Sequence, residues 1–222
     1  MKEWADIYLE DIIANHGSID NYFKRSFYDE RMSDRKLRQF NMIKDSALIG
    51  RPILEVGCGL ASLATYFAKL GYDIHGIDND KRQLDLATRN SMVFSPDNPV
   101  KLLHGDMFNL PYENKSMGLA FSNGVLEHFS DDEIIHLINE QLRVSEKVAF
   151  GVPSTWYERY PKMRGDERYL ERDKWRDIIQ KSKAKIISEP FLGHTKEIRI
   201  DQEKLPPEER IESFLGFVLQ EK

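Results

Sequence analysis

From Arg51 onward, short apolar runs alternate with amphipathic stretches. Ile53-Leu54-Glu55-Val56 is a compact apolar run followed by glycines, which predicts a buried strand ending in a tight turn. Leu60, Leu63, Ala64, Phe67 and Ala68 then share one helical face, and Gly71 marks the stop of that helix. The same reading predicts strands at Tyr72 to Ile77, Val100 to Leu103, Gly118 to Phe121 and Lys147 to Val152, and a helix from Lys81 to Met92. Ser130 and Glu133 form a capping box ahead of a helix carrying Ile134, Ile135 and Ile138. Trp175, Ile178 and Ile179 mark a further helix, and Lys185 to Ser188 and Ser213 to Leu219 two further strands. Strands alternating with helices of this length predict an α/β fold, a mostly parallel sheet covered on both faces. Such sheets bind ligands beyond the carboxyl ends of their strands.

Ahead of Arg51 the period is helical. Trp4, Ile7, Tyr8 and Ile12 fall at helical spacing, and Asn15-His16-Gly17-Ser18 reads as a break. A second segment carries Tyr22, Phe23, Phe27 and Tyr28; a third, opened by Ser33, runs through Leu37, Phe40, Ile43 and Leu48. These predict a helical extension over 1–44, acting as a lid, before a main domain over 45–222. The basic residues Arg31, Arg35, Lys36 and Arg38 have Asp29, Glu30 and Asp34 among them, which reads as a solvated helix face.

Composition narrows the classes. The chain has 222 residues, 41% apolar and 31% charged, with a net charge of −5. That balance suits a solvated globular surface and argues against a nucleic-acid partner, which needs a basic face. The single cysteine, Cys58, allows no intrachain disulfide and predicts a cytoplasmic home. No apolar run approaches the roughly 20 residues that span a bilayer, so no membrane partner is expected.

Three strand ends carry candidate chemistry. The first is the turn Glu55-Val56-Gly57-Cys58-Gly59-Leu60-Ala61, where glycines let a ligand lie against the backbone. A dinucleotide fingerprint would place glycine where Ser62 stands, so the nicotinamide signature is incomplete. Glu55 would repel a pyrophosphate and favour a cationic ligand such as an amino acid bearing a sulfonium. The second is Asp78-Asn79-Asp80; Asp78 lies 19 residues after Gly59 (78 − 59), the separation at which an acid takes ribose hydroxyls in such folds. A helix N-cap is the competing role for any of the three. The third is Asp106-Met107, an acid and an apolar side chain suited to the amino edge and ring face of adenine.

Together these motifs resemble the class I S-adenosylmethionine-dependent methyltransferases over residues 45–222. The resemblance implies a Rossmann-like, seven-stranded sheet with an antiparallel last strand and S-adenosylmethionine as cofactor. It implies that Glu55, Gly57, Cys58 and Gly59 hold the methionine part, Asp78 beside Asn79 the ribose, and Asp106 with Met107 the adenine. Ser122 and Asn123 fall in the segment that passes beneath the methionine and its methyl group. The family's third glycine is Ala61 here.

The acceptor is less legible. The strand-four segment Phe121-Ser122-Asn123-Gly124-Val125 lacks the prolines of adenine amino-methyltransferases, and Cys58 lies in the cofactor turn, not where a cytosine nucleophile would stand. Glu127 and His128 match part of a metal site found in a few relatives, but Gly124 replaces its first carboxylate, so no metal is expected. His128 is the candidate general base, with a helix-entry hydrogen-bonding role as the alternative. Tyr22, Tyr28, Trp156 and Tyr157 are candidate acceptor contacts, and His194 has no assigned role. The expectation is methyl transfer to oxygen or nitrogen of a small-molecule acceptor. The alternatives are an RNA or protein methyltransferase, or a non-catalytic cofactor-binding partner subunit.

Overall fold

The structure, a computed structural model, describes residues 4–22, 34–156, 167–193, 206 and 212–222. Seven strands form one sheet: β1 (Ile53–Val56), β2 (Ile74–Asp78), β3 (Lys101–His104), β4 (Met117–Asn123), β5 (Ser145–Pro153), β6 (Ala184–Ser188) and β7 (Phe214–Glu221). Their order is β3-β2-β1-β4-β5-β7-β6. The first five strands run parallel, while β7 is antiparallel to both β5 and β6. The chain winds outward from β1 to β3 and then returns to place β4 on the other side of β1. That reversal opens a crevice at the carboxyl ends of β1 and β4.

Side chains alternate across the sheet, which assigns each strand residue to a face. On one face Ile53, Leu119, Phe121 and Ala149 pack with Phe40, Ile43, Ala64, Phe67 and Ala87. Those partners lie on α2 (Asp34–Ser46), α3 (Ser62–Lys69) and α4 (Lys81–Phe94). On the other face Val148, Phe150, Val152, Phe217 and Leu219 meet Ile134, Leu137, Ile138, Trp175 and Ile178. These belong to α5 (Asp131–Val144) and α6 (Arg172–Lys181). Burial on both faces explains why the inner strands read as continuous apolar runs.

The helical extension splits into two differently packed parts. In α2, Phe40, Met42 and Ile43 are at most 8% exposed, and the Phe40 ring stacks on Phe67 at 4.7 Å. By contrast α1 (Trp4–His16) rests on a small cluster in which Ile12 meets Leu60, with Leu9, Ile19, Tyr22, Leu86 and Phe94 around it. Asp6 pairs with Arg82 at 2.9 Å and Asp20 with Arg89 at 2.6 Å, so exposed ion pairs complete this contact. Gly17, at φ 75°, ends α1 where the sequence predicts a break. Among the described residues no helix is long and apolar enough to cross a membrane.

Arg35 and Arg38 do not form the solvated face expected of them. The Arg35 guanidinium lies 4.6 Å above the Phe214 ring and that of Arg38 lies 4.8 Å above Phe191. Both rings are distant in sequence, so the local charge pattern held no sign of them.

Candidate active site

The loop after β1 turns through three left-handed residues: Gly57 at φ 68°, Gly59 at φ 50° and Ala61 at φ 50°. The Gly57 and Cys58 amides both donate to the Ile77 carbonyl, at 2.9 and 3.0 Å, which stitches the turn to β2. A Cβ at Gly57 would come within 2.8 Å of Val125 Cγ2 and 3.6 Å of Met107 Cε. Glycine is therefore required there by space as well as by backbone angle.

Glu55 is 6% exposed, and its Oε2 accepts from the Ala64 amide at 3.1 Å. The N-cap of α3 is Ala61, whose side chain has nothing to offer the helix start. Glu55 thus satisfies from β1 a donor that the first turn of the helix leaves open. Burial is the main reason its carboxyl is pushed up to about 8, opposed by the Ala64 bond and reinforced by the negative Asp78 nearby. Burial likewise holds the Cys58 thiol protonated, well above its ordinary range. Cys58 is a packed residue of the turn.

The N-cap role left open by the sequence falls to Asp80. Asp80 is the N-cap of α4, accepting from the amides of Arg82 and Gln83 at 2.8 and 3.2 Å. Asp78 instead faces the glycine turn: Oδ2 accepts from the Gly59 amide at 2.7 Å, and Oδ1 from the Asp80 amide at 2.9 Å. Each carboxylate oxygen retains acceptor capacity beyond these bonds. Asn79 is exposed beside it, its carbonyl tied to His104 Nε2 at 3.0 Å.

At the β3 end, Asp106 is exposed and its Oδ1 accepts from the Phe108 amide at 2.9 Å, an Asx turn that fixes its direction. Met107 packs beneath it against two of the core clusters. At the β4 end, Ser122 is 2% exposed and its Oγ has no hydrogen-bond partner. Its neighbour Asn123 points to the opposite face, where its Oδ1 accepts from Gln39 Nε2 at 2.5 Å. The contact with Gln39 gave no sign in the sequence, because 84 residues separate the two.

His128 closes a single 3₁₀ turn, Leu126–His128, directly after β4, and its amide donates to the Val125 carbonyl at 3.2 Å. Its ring is half-buried. Tyr22 comes to the glycine turn from the N-terminal segment, its Oη accepting from Ser62 Oγ at 3.3 Å. Trp156 lies beyond the end of β5, 57% exposed, with its amide donating to Ser154 Oγ at 3.0 Å. Tyr28, Tyr157 and His194 lie outside the described residues. Among the described residues no group of three His, Cys, Asp or Glu side chains is arranged to hold a metal ion.

The crevice suits an adenosyl amino acid. A carboxylate with spare acceptor sites stands at the β2 end, a glycine turn follows the β1 end, and Ser122 at the β4 end carries a buried, unbonded hydroxyl. Residues 53–147, which contain all of these, match the methyltransferase domain family. Over this stretch the chain is similar to methyltransferase domains, and its fold is shared with solved S-adenosylmethionine-dependent methyltransferases. Norajmaline N-methyltransferase of Rauvolfia serpentina is 28% identical to this chain over 116 residues, 52% of this chain and 39% of that protein. The chain therefore spans well under half the length of that curated relative. Magnesium protoporphyrin IX methyltransferase of Synechocystis PCC 6803, crystallised with bound SAM, shares the fold at a TM-score of 0.63 and 13% identity, over 100% of this chain and 99% of that one. Geranyl diphosphate C-methyltransferase of Streptomyces coelicolor A3(2) does so at 0.60 and 13%, over 84% and 79%.

Proposed function

We propose that the protein transfers the methyl group of S-adenosylmethionine to an oxygen or nitrogen of a small-molecule acceptor. The observation that carries this reading is the convergence of Glu55, the Gly57–Gly59 turn and Asp78 at the adjoining ends of β1 and β2. The cofactor supplies an electrophilic methyl on a sulfonium, already bonded to a good leaving group. Asp78 would accept the ribose hydroxyls and Asp106 the adenine amino group, with Met107 against the ring. Glu55 would face the cofactor's ammonium. The bound acceptor must then be aligned and shielded from water, which supplies much of the rate in such displacements. His128 is the candidate to take a proton from the acceptor heteroatom. The N-methyltransferase relative supports nitrogen as one of the two acceptor atoms.

Calorimetry tests the cofactor. S-adenosylhomocysteine should bind, with NAD far weaker, and the reverse order would sink the proposal. Asp78→Ala should weaken adenosylhomocysteine by about 1.5–3 kcal/mol, the worth of a charge-assisted hydrogen bond. His128→Gln should lower turnover by ~10²–10⁴-fold with cofactor affinity unchanged; unchanged turnover would make His128 structural. Label transfer from the cofactor into a metabolite pool, compared with RNA and protein fractions, separates the small-molecule reading from its macromolecular alternatives.

A further inference from the structure

The start of α2 overhangs the crevice on the side away from the glycine turn. Gln39 meets Asn123, the last residue of β4, whereas Leu48 and Arg51, just past the helix, flank Gly118 near the start of that strand. The helix therefore runs antiparallel to β4, and its first turn projects past the carboxyl edge of the sheet. Arg35 precedes Gln39 by one turn on the same helical face, roughly 6 Å farther out along the axis.

Among the described residues, Arg35 and Asn123 stand at this rim. The Arg35 guanidinium carbon stands 4.6 Å from the centre of the Phe214 ring, where β7 begins opposite Pro153; a guanidinium held over a ring can still offer its N–H donors to a ligand. Arg82, Arg89, Arg143, Arg168 and Arg176 each meet a carboxylate within 2.9 Å, but Arg35 has no ion pair among the described residues. The second group is the Asn123 amide. Because Gln39 Nε2 donates to Asn123 Oδ1, the Nδ2 donor of Asn123 is the end left to a ligand. Gly151 makes room for the pair, since a Cβ there would come within 2.8 Å of Asn123 Oδ1. A cation over the start of β7 and an oriented amide donor at the end of β4 thus stand on the side of the sheet that α2 covers, in a protein whose net charge is −5.

We propose that Arg35 and Asn123 form an anion-recognition subsite, so that the methyl acceptor carries a carboxylate or phosphate group. The inference rests on the methyl-transfer reading, which makes the β4 end the acceptor's side. Gln39 is a positioning residue that sets the direction of the Asn123 amide. An edge-on guanidinium matches two oxygens of a carboxylate or phosphate, and the amide donor supplies a third contact.

The test titrates benzoate, phenyl phosphate and the neutral isostere benzamide into protein saturated with S-adenosylhomocysteine. Benzoate or phenyl phosphate should bind about tenfold or more tightly than benzamide, as a charge-assisted contact requires. Whichever of the two anions is preferred identifies the acidic group. Arg35→Gln should erase the preference while leaving benzamide binding and the melting temperature unchanged, and Arg35→Lys should keep part of it. A merely structural Arg35 would shift all three probes alike. Equal binding of the probes, no binding of any, or a preference that survives Arg35→Gln overturns the subsite. If adenosylhomocysteine itself does not bind, that failure belongs to the methyl-transfer reading. The same probes added to the unloaded protein then decide the subsite separately.

Discussion

Burial lifts the Glu55 carboxyl to about 8, yet the same side chain caps α3 and faces the place proposed for a cationic ammonium. In the ligand-free protein the group keeps a proton that the unfolded chain releases near its ordinary value of 4.5. Its contribution to stability is therefore fully present below that value and is lost as the pH rises to about 8. Glu55→Gln keeps an oxygen for the Ala64 amide and removes this slope. Melting curves of variant and parent should diverge across that window, with the variant the more stable at its alkaline end. Cofactor binding has the opposite sign, because an ammonium draws out the carboxylate. Affinity should rise with pH toward about 8 in the parent and lose that dependence in Glu55→Gln, as calorimetry in matched buffers would read. A second residue was legible only in part. Ala61 stands where the methyltransferases this chain resembles have glycine, and still adopts the left-handed angles of one, φ 50° and ψ 36°. Ala61→Gly should gain roughly 1 kcal/mol from relieved backbone strain, offset in part by the greater freedom of glycine in the unfolded chain.

Element by element, the main domain was legible because local signals agreed with the final packing. The strand core Ile53–Val56 and the helix start at Lys81 fall where expected, and the Ser130–Glu133 capping box is formed in both directions. Ser130→Ala should cost about 1 kcal/mol in thermal or denaturant melting, the usual worth of such a cap. What could not be read were contacts made between elements far apart in sequence. Gln39 with Asn123, Arg35 over Phe214 and Glu55 as the cap of α3 all depend on where the sheet brings the chain together. The residues proposed for the cofactor are exempt from this limit because each lies at the end of a strand, where the fold class alone predicts a ligand. The residues proposed for the acceptor are not, since they come from a helix start and from loops that follow no period. Gly57→Ala tests the element that joins both sets: its Cβ would press on Val125, so adenosylhomocysteine binding should be lost even where the protein stays folded.

Across the whole molecule, the extension predicted over 1–44 combines a helix sunk in the core with one resting near the glycine turn. We place the proposed lid in the second of these, residues 4–22. Removing residues 1–22 should leave a folded core that binds cofactor more weakly and transfers no methyl group. Hydrogen exchange in residues 4–22 should slow when adenosylhomocysteine is added; protection already complete without ligand would mean permanent packing. The placing of β7 has a separate consequence, for the time order of folding. This strand lies between β5 and β6, so its residues 214–221 pair on both sides of the sheet's second half. A nascent chain that has emerged only as far as β6 holds two unpaired edges, one of them along the fully buried stretch of β5. Such edges recruit strands from other chains. The ribosome and any chaperone must therefore shelter the half-built sheet until this late strand arrives to zip it shut.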